Sequence, residues 1–236
     1  MKRIMVPVVI LALVAASSNA VVLVTPLRVD FGTPTSAVQE GWQAFQGIHE
    51  DALNLYVPRE FSAFGTTVTV GLSWNPHVPR WESMQMIDRG GSVDVDTPDL
   101  LRDWTGTDGR VYGGPLTLTI TGLAAGEYGW LSYHHDTSDQ TGIFDVLVVD
   151  ASGERTFTGI DISDGNSGVK TLAEATKFST SLLSDGSAIK LTFTSVVGEP
   201  NAEKFFVMNG FQIVPEPAML VLLGLGGLGL LRRRRA

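Results

Sequence analysis

The chain has 236 residues, 44% of them hydrophobic and 18% charged, a balance that suits one main globular domain with a sizeable core and excludes a disordered chain or a membrane bundle. It contains no cysteine, so disulfides, thiol nucleophiles and cysteine metal sites are excluded. From Val21 to Val214, 11 Lys and Arg stand against 24 Asp and Glu for a net charge of −13, a surface that repels phosphate backbones and argues against nucleic acid as a partner.

At the N-terminus, Lys2 and Arg3 precede an apolar run from Ile4 to Ala16 broken only by Pro7, and Ser17-Ser18-Asn19-Ala20 follows. A basic start, a short greasy stretch and small residues at Ser18 and Ala20 predict a signal peptide over residues 1–20, cut by signal peptidase after Ala20. A membrane anchor is the alternative, but the run is short for a bilayer span.

Residues 21–213 read as one β-rich extracellular domain. Val21 to Val29 is aliphatic and β-branched, and Thr66 to Leu72 alternates Thr67 and Thr69 with Val68 and Val70. Leu116 to Thr121 alternates Leu116, Leu118 and Ile120 with three threonines. Period two with threonine on the wet side predicts half-buried antiparallel strands. Further strands are expected over Tyr128 to His134, Phe144 to Val149, Arg155 to Thr158, Ala188 to Val196 and Lys204 to Val214, with a polar loop from Asp136 to Gly142 and a tight turn from Asp150 to Glu154. Helical signals are confined to short stretches, Thr35 to Phe45 and Pro98 to Trp104, too short to form a layer. Strands at this spacing, parted by Gly-, Asp- and Pro-rich turns, predict an all-β fold, an antiparallel β-sandwich of jelly-roll type.

Candidate chemistry is sparse. His134-His135-Asp136-Thr137-Ser138-Asp139 ends a predicted strand, and alternation sends the two histidines to opposite faces. Asp136 and Asp139 with loop carbonyls, and Asp161 and Asp164 in the loop Asp161 to Gly168, offer the oxygen ligands that Ca²⁺ accepts; ordinary Asx-capped turns explain both loops equally. Calcium is therefore the one candidate cofactor, and none is required. Flat aromatic rings beside polar loop groups suit sugar recognition, which nominates Trp81, next to Arg80 and Glu82, and Trp104, next to Arg102 and Asp103, although large aromatics in a sandwich are usually core. Gly-x-Ser-x-Gly, His-Glu-x-x-His, phosphate-loop and Gly-x-Gly-x-x-Gly patterns are absent, so no enzyme is expected, while 24 acids leave room for a carboxylate pair of a secreted polysaccharide hydrolase. The Thr117-Leu118-Thr119-Ile120-Thr121 row raises ice binding as an alternative of another class, although a flat ice plane asks for more such rows than the sequence offers.

Two segments carry a fold resemblance. Gly122-Leu123-Ala124-Ala125-Gly126-Glu127-Tyr128 resembles the corner that leads into a core strand in many extracellular sandwiches, and Phe205 to Ile213 resembles the closing strand of galactose-binding-like and malectin-like domains. Together they cover about 16 residues and imply a fold class rather than a ligand.

The last segment, 214–236, joins Pro215-Glu216-Pro217 to an uncharged run from Ala218 to Leu231 and then to Arg232-Arg233-Arg234-Arg235. A 14-residue hydrophobic helix there would span about 21 Å, short of the roughly 30 Å hydrocarbon core, so it suits transient membrane insertion, with the arginines held inside by the positive-inside rule. The order of tripeptide, greasy segment and arginine cluster resembles the PEP-CTERM sorting tail. That resemblance implies an exosortase as processing enzyme, delivery to the cell envelope, outer surface or extracellular matrix of a Gram-negative bacterium, and exopolysaccharide or envelope proteins as the surroundings the domain meets. The resulting expectation is a non-enzymatic envelope or matrix protein that binds polysaccharide.

Overall fold

The computed structural model describes residues 25–47, 56–74, 85–89, 97–108, 115–138, 142–165, 168–196 and 205–216. The expected signal peptide at 1–20 and hydrophobic helix at 218–231 lie outside them; among the described residues no helix is long and apolar enough to cross a membrane.

Alternation builds one wall of the core. Strands β3 (Tyr56–Ala63), β4 (Thr66–Ser73), β7 (Leu116–Thr121), β9 (Ile143–Asp150), β10 (Gly153–Asp161) and β13 (Ile189–Ser195) form one antiparallel sheet in the order β10-β9-β13-β7-β4-β3. In β7 every apolar residue is buried and every threonine half-buried, and Val68, Val70, Leu72, Phe144, Val146, Val148, Ile189, Leu191 and Phe193 continue the same inner face. Burying each such side chain contributes about 1.5–3 kcal/mol.

The facing sheet contains β1 (Leu27–Gly32), β2 (Gln43–Gln46), β8 (Gly126–Asp136), β11 (Ser163–Asp164), β12 (Thr176–Ser184) and β15 (Gly210–Pro215). Its order is β11-β8-β15-β1-β2, with β12 also paired to β8. Leu27, Val29, Phe31, Tyr128, Trp130, Phe211 and Ile213 point inward from it and join the same core cluster. Trp130 stacks on Phe211 with ring centroids 4.5 Å apart. A third, three-stranded sheet, β14 (Phe205–Met208), β6 (Asp103–Asp108) and β5 (Gln85–Asp88), follows the order β14-β6-β5. The whole is an antiparallel β-sandwich of jelly-roll type, as the sequence predicts, with two parallel exceptions: β1 with β2, and β11 with β8.

Two expectations need correction. Lys204 to Val214 reads as one strand, but it is split at Asn209, where the chain passes from the small sheet to a large one. Thr35 to Phe45 contains no helix; a loop leads into β2. The second helical stretch is a single 3-10 turn at Asp99–Leu101 before β6.

The corner at 122–128 is real. Gly122 has φ +87, and a Cβ there would lie 2.5 Å from the Thr67 carbonyl oxygen, so only glycine fits. Tyr128 buries its ring, and its hydroxyl donates to the Ala124 carbonyl at 3.0 Å, closing a tyrosine corner.

Asn209 makes the densest set of buried hydrogen bonds. Its side-chain amide donates to the carbonyls of Asp103 (2.9 Å) and His135 (2.8 Å), and its side-chain oxygen accepts from the His135 N–H at 2.7 Å. Its own N–H donates to the Tyr133 carbonyl and its carbonyl accepts from the Phe31 N–H, each at 2.9 Å. Truncation strands one buried donor and two acceptors, each costing about 1–3 kcal/mol when unsatisfied. Asn209→Ala is therefore expected to destabilise the fold by about 3 kcal/mol or more and Tyr128→Phe by about 1 kcal/mol; urea unfolding curves in which both cost the same would contradict this ranking.

Candidate functional site

The outer face of β8, β15 and β1 carries the half-buried Trp42. It lies at the end of the loop 33–42, which leaves β1 and returns as β2. A Cβ on Gly210 would sit 3.2 Å from the Trp42 ring, 2.7 Å from Leu100 and 2.5 Å from the Val29 carbonyl oxygen, so the indole rests on a strand whose lack of side chain makes room for it. Trp42 meets Tyr133 edge-on with ring centroids 5.9 Å apart, and the Lys177 ammonium stands 6.0 Å from the centre of the Tyr133 ring. Arg28 and Gln212 are register neighbours on the same face, and Gln212 pairs with Leu131. An aromatic pair on a sheet face that also carries guanidinium, amide and ammonium groups has the chemistry for stacking on a pyranose while reading its hydroxyls.

The loop is held from beneath. Asp30, on the outer side of β1, accepts the Gln39 N–H at 2.7 Å, the Gln39 side-chain oxygen accepts the Leu100 N–H at 3.3 Å, and the Trp42 N–H donates to the Gln39 carbonyl at 3.0 Å. Asp30 and Asp103 line one crevice with Gly32, Ser36 and Ala44. They are 3% and 1% exposed, and one oxygen of each, Asp30 Oδ1 and Asp103 Oδ2, has no hydrogen-bond partner. Burial pushes the Asp30 carboxyl up to about 7, opposed by the Gln39 N–H and aided by Asp99. Burial likewise raises Asp103 to about 8, opposed by the Ser36 hydroxyl and aided by Asp30, Asp88 and Asp99. Two carboxylates and a hydroxyl supply fewer oxygens than the six to eight that Ca²⁺ takes, and among the described residues no three metal-binding side chains converge.

The residues nominated from sequence fall in different places. Trp104 is 0% exposed in β6, in the core cluster, with the Arg89 guanidinium 5.8 Å from its ring centre; a ring so enclosed has no face for a sugar, and the expectation is corrected. Trp81, Asp139, Pro217 and Arg232 to Arg235 lie outside the described residues. Asp136 is 0% exposed; one oxygen accepts the Ser138 N–H and hydroxyl, both at 2.8 Å, and the other accepts Arg89 Nη2 at 3.3 Å. Asp164 pairs in register with Asp136 through β11, whereas Asp161 is exposed at the end of β10, opposite Ile143.

Alternation separates the histidines as expected. His134 is fully buried among Phe144, Phe193 and Phe206. Its Nδ1 lies 2.7 Å from the Val207 carbonyl, so it donates there, and Nε2 accepts from the Ser132 hydroxyl at 2.8 Å, which in turn accepts from the Trp130 indole N–H at 3.1 Å. Burial lowers its pKa to about 4, against the Val207 carbonyl. On the other face, His135 Nδ1 lies 3.1 Å from the Ser163 hydroxyl.

The threonine row has neighbours the sequence did not reveal. Thr117 pairs with Ser73 on one side and Thr192 on the other, with Thr117 and Thr192 hydroxyls 3.0 Å apart, and Thr121 pairs with Thr69. Lys190 interrupts the face beside Thr119.

The chain matches the PEP-CTERM protein-sorting motif over residues 214–235. No curated protein matches it. Among solved structures, it is similar to the CBM22-1 xylan-binding domain of Paenibacillus barcinonensis Xyn10C, at 12% identity over 61% of this chain and 85% of that one, TM-score 0.36. It is similar to the CBM35 of Cellvibrio japonicus Abf62, at 8% identity over 61% and 92%, TM-score 0.33. It is also similar to an exo-beta-1,3-galactanase of Phanerochaete chrysosporium, at 12% identity over 65% of this chain and 42% of that one, TM-score 0.34.

The acid pair fixes a pH dependence. Raised carboxyls stay protonated in the fold while the unfolded chain ionises near 3.8, so their contribution is complete below that pH and is lost as pH rises through about 7 to about 8. His134 acts in the opposite sense, its contribution being complete above 6.5 and lost as pH falls toward about 4. Thermal melting from about pH 6 to about pH 9 should show the wild-type Tm falling across the upper window and Asp103→Asn falling by roughly half as much; parallel curves would sink the assignment.

Proposed function

We propose that this chain is an exported envelope or matrix protein, delivered by its C-terminal sorting motif, whose β-sandwich binds polysaccharide through the Trp42 face and catalyses no reaction. The match at residues 214–235 carries the sorting part of the reading. Its support in the sequence is the order of Pro215-Glu216-Pro217, an uncharged run and four arginines, behind an N-terminal stretch with the pattern of a signal peptide. An exosortase in a Gram-negative host is the processing enzyme this reading requires. The polysaccharide part is supported by one geometric fact: a half-buried indole seated on Gly210 and edge-on to Tyr133, on the sheet face that carries Arg28, Gln212 and Lys177. The acidic surface directs the expectation toward neutral or cationic glycans.

Two experiments test the two parts separately. Intact mass and fractionation of the protein from its host should give a species without its C-terminal segment in the envelope or medium, lost when Arg232 to Arg235 are replaced by glutamine. An unprocessed C-terminus at an unchanged location would remove the sorting reading. For the ligand, retention of the folded protein on polysaccharide should fall about tenfold in Trp42→Ala, a change of about 1.4 kcal/mol; equal retention of both proteins would remove the Trp42 assignment.

The Thr69, Thr117, Thr121 and Thr192 array supports ice binding as a second reading. Thermal hysteresis in purified protein, abolished by Thr192→Lys, is what that reading expects, and its absence would end it.

A further inference from the structure

The sorting motif and the sandwich share residues. Strand β15 lies between β8 and β1, and its last two residues, Val214 and Pro215, are also the first residues of the matched motif segment and of the Pro-Glu-Pro tripeptide. Val214 pairs with Gly129 and Pro215 with Tyr128. Pairing continues one residue further, for the Glu216 N–H donates to the Glu127 carbonyl at 3.0 Å. The Glu216 carboxylate lies over the strand, with Oε1 3.0 Å from where a Cβ on Gly129 would be. Immediately upstream, Phe211 and Ile213 are fully buried in the main core.

A peptidase must take up its substrate as an open, extended chain around the bond it cuts. The bonds from Ile213 through Glu216 are held along β8, and presenting them as an open extended chain also draws out the residues just upstream, Phe211 and Ile213, which are paired on both sides and fill the core. Such openings cost a large part of the global unfolding free energy, unlike the fraying of a free terminus. The Glu216–Pro217 bond is the first beyond the last hydrogen bond that the sandwich makes to this strand among the described residues.

Resting on the sorting reading above, we propose that the folded sandwich sets the processing site: cleavage falls at the Glu216–Pro217 bond or beyond it, and the mature protein keeps β15 whole. In that step the amide C–N bond breaks. Water supplies the hydroxyl of the new carboxyl terminus and the proton taken up by the departing amine, which leaves with the apolar, arginine-ended segment. The fold thus protects the part of the motif that is held along β8, Val214 to Glu216.

The test is intact mass of the processed protein from its host together with hydrogen exchange on the full chain. A mature C-terminus at Glu216 or later is expected, with amides of the segment 211–216 exchanging about a hundredfold or more slower than an unstructured peptide. A C-terminus at Pro215 or upstream would overturn the proposal and leave sorting intact, as would free exchange across 211–216. A chain that keeps its whole tail would remove the sorting reading and this inference with it.

Discussion

The architecture depends on how one buried polar residue satisfies itself. A sandwich whose chain crosses from a small sheet into a large one at its last connection must break the ladder there, and broken ladders leave N–H and C=O groups without partners. Asn209 substitutes its side chain for the missing strand, giving β8 a donor and an acceptor and β6 a donor while its backbone ties β8 to β1. Three strands from three parts of the sequence, β1, β6 and β8, are fixed by a single asparagine, and the glycine that follows lets the indole of Trp42 settle on the surface. An aspartate of the same shape could not donate to the two carbonyls, and an aliphatic residue could not pair at all.

The same economy appears in the core. With no cysteine in the chain, a unique register has to come from packing and from polar groups that are satisfied in only one arrangement. The relay from Trp130 through Ser132 and His134 to the Val207 carbonyl does this, since a two-residue slip of β8 would leave an imidazole unpaired among Phe144, Phe193 and Phe206. Buried neutral His134 and the buried neutral acids act in opposite pH directions, and between about 4 and 6.5 they partly offset each other.

Strands with clean period two were legible from sequence: β7 has the bounds that alternation gave it, and β4, β9 and β13 differ by a residue or two at their ends. What alternation could not find are strands whose two faces are both unusual. The segment Asp103–Asp108 carries aspartate, threonine and glycine, yet Asp103 to Thr107 are buried on both faces, and Gln43–Gln46 is a four-residue strand paired in parallel to β1, a contact that has no local signature. Thr176–Ser184 pairs along almost all of β8, yet it is not among the strands expected from sequence, its serines and threonines leaving few apolar residues to alternate. Trp42 was hidden for a similar reason, being embedded in a Ser-, Gln- and Glu-containing stretch whose conformation is dictated by Asp30 and Leu100 far along the chain. The pairing of Asp30 with Asp103 is wholly tertiary and left no mark on the sequence. Trp104 misled because a tryptophan flanked by Arg and Asp looks exposed until its strand is seen to be covered on both faces.

Strand β15 also orients the candidate site relative to the tail. It starts at Gly210, beneath Trp42, and ends at Pro215, inside the sorting motif. Six residues at about 3.3 Å each put roughly 20 Å between the indole and Glu216. A domain tethered through Glu216 would therefore present the Trp42 face away from the point of attachment, on the side of one sheet rather than beneath the sandwich. Because β15 is a central strand, with β8 hydrogen-bonded on one side and β1 on the other, a pull on the tail is resisted by ladders loaded in shear along their length. Force applied at Glu216 would therefore reach the Trp42 face through paired backbone and not through a loop.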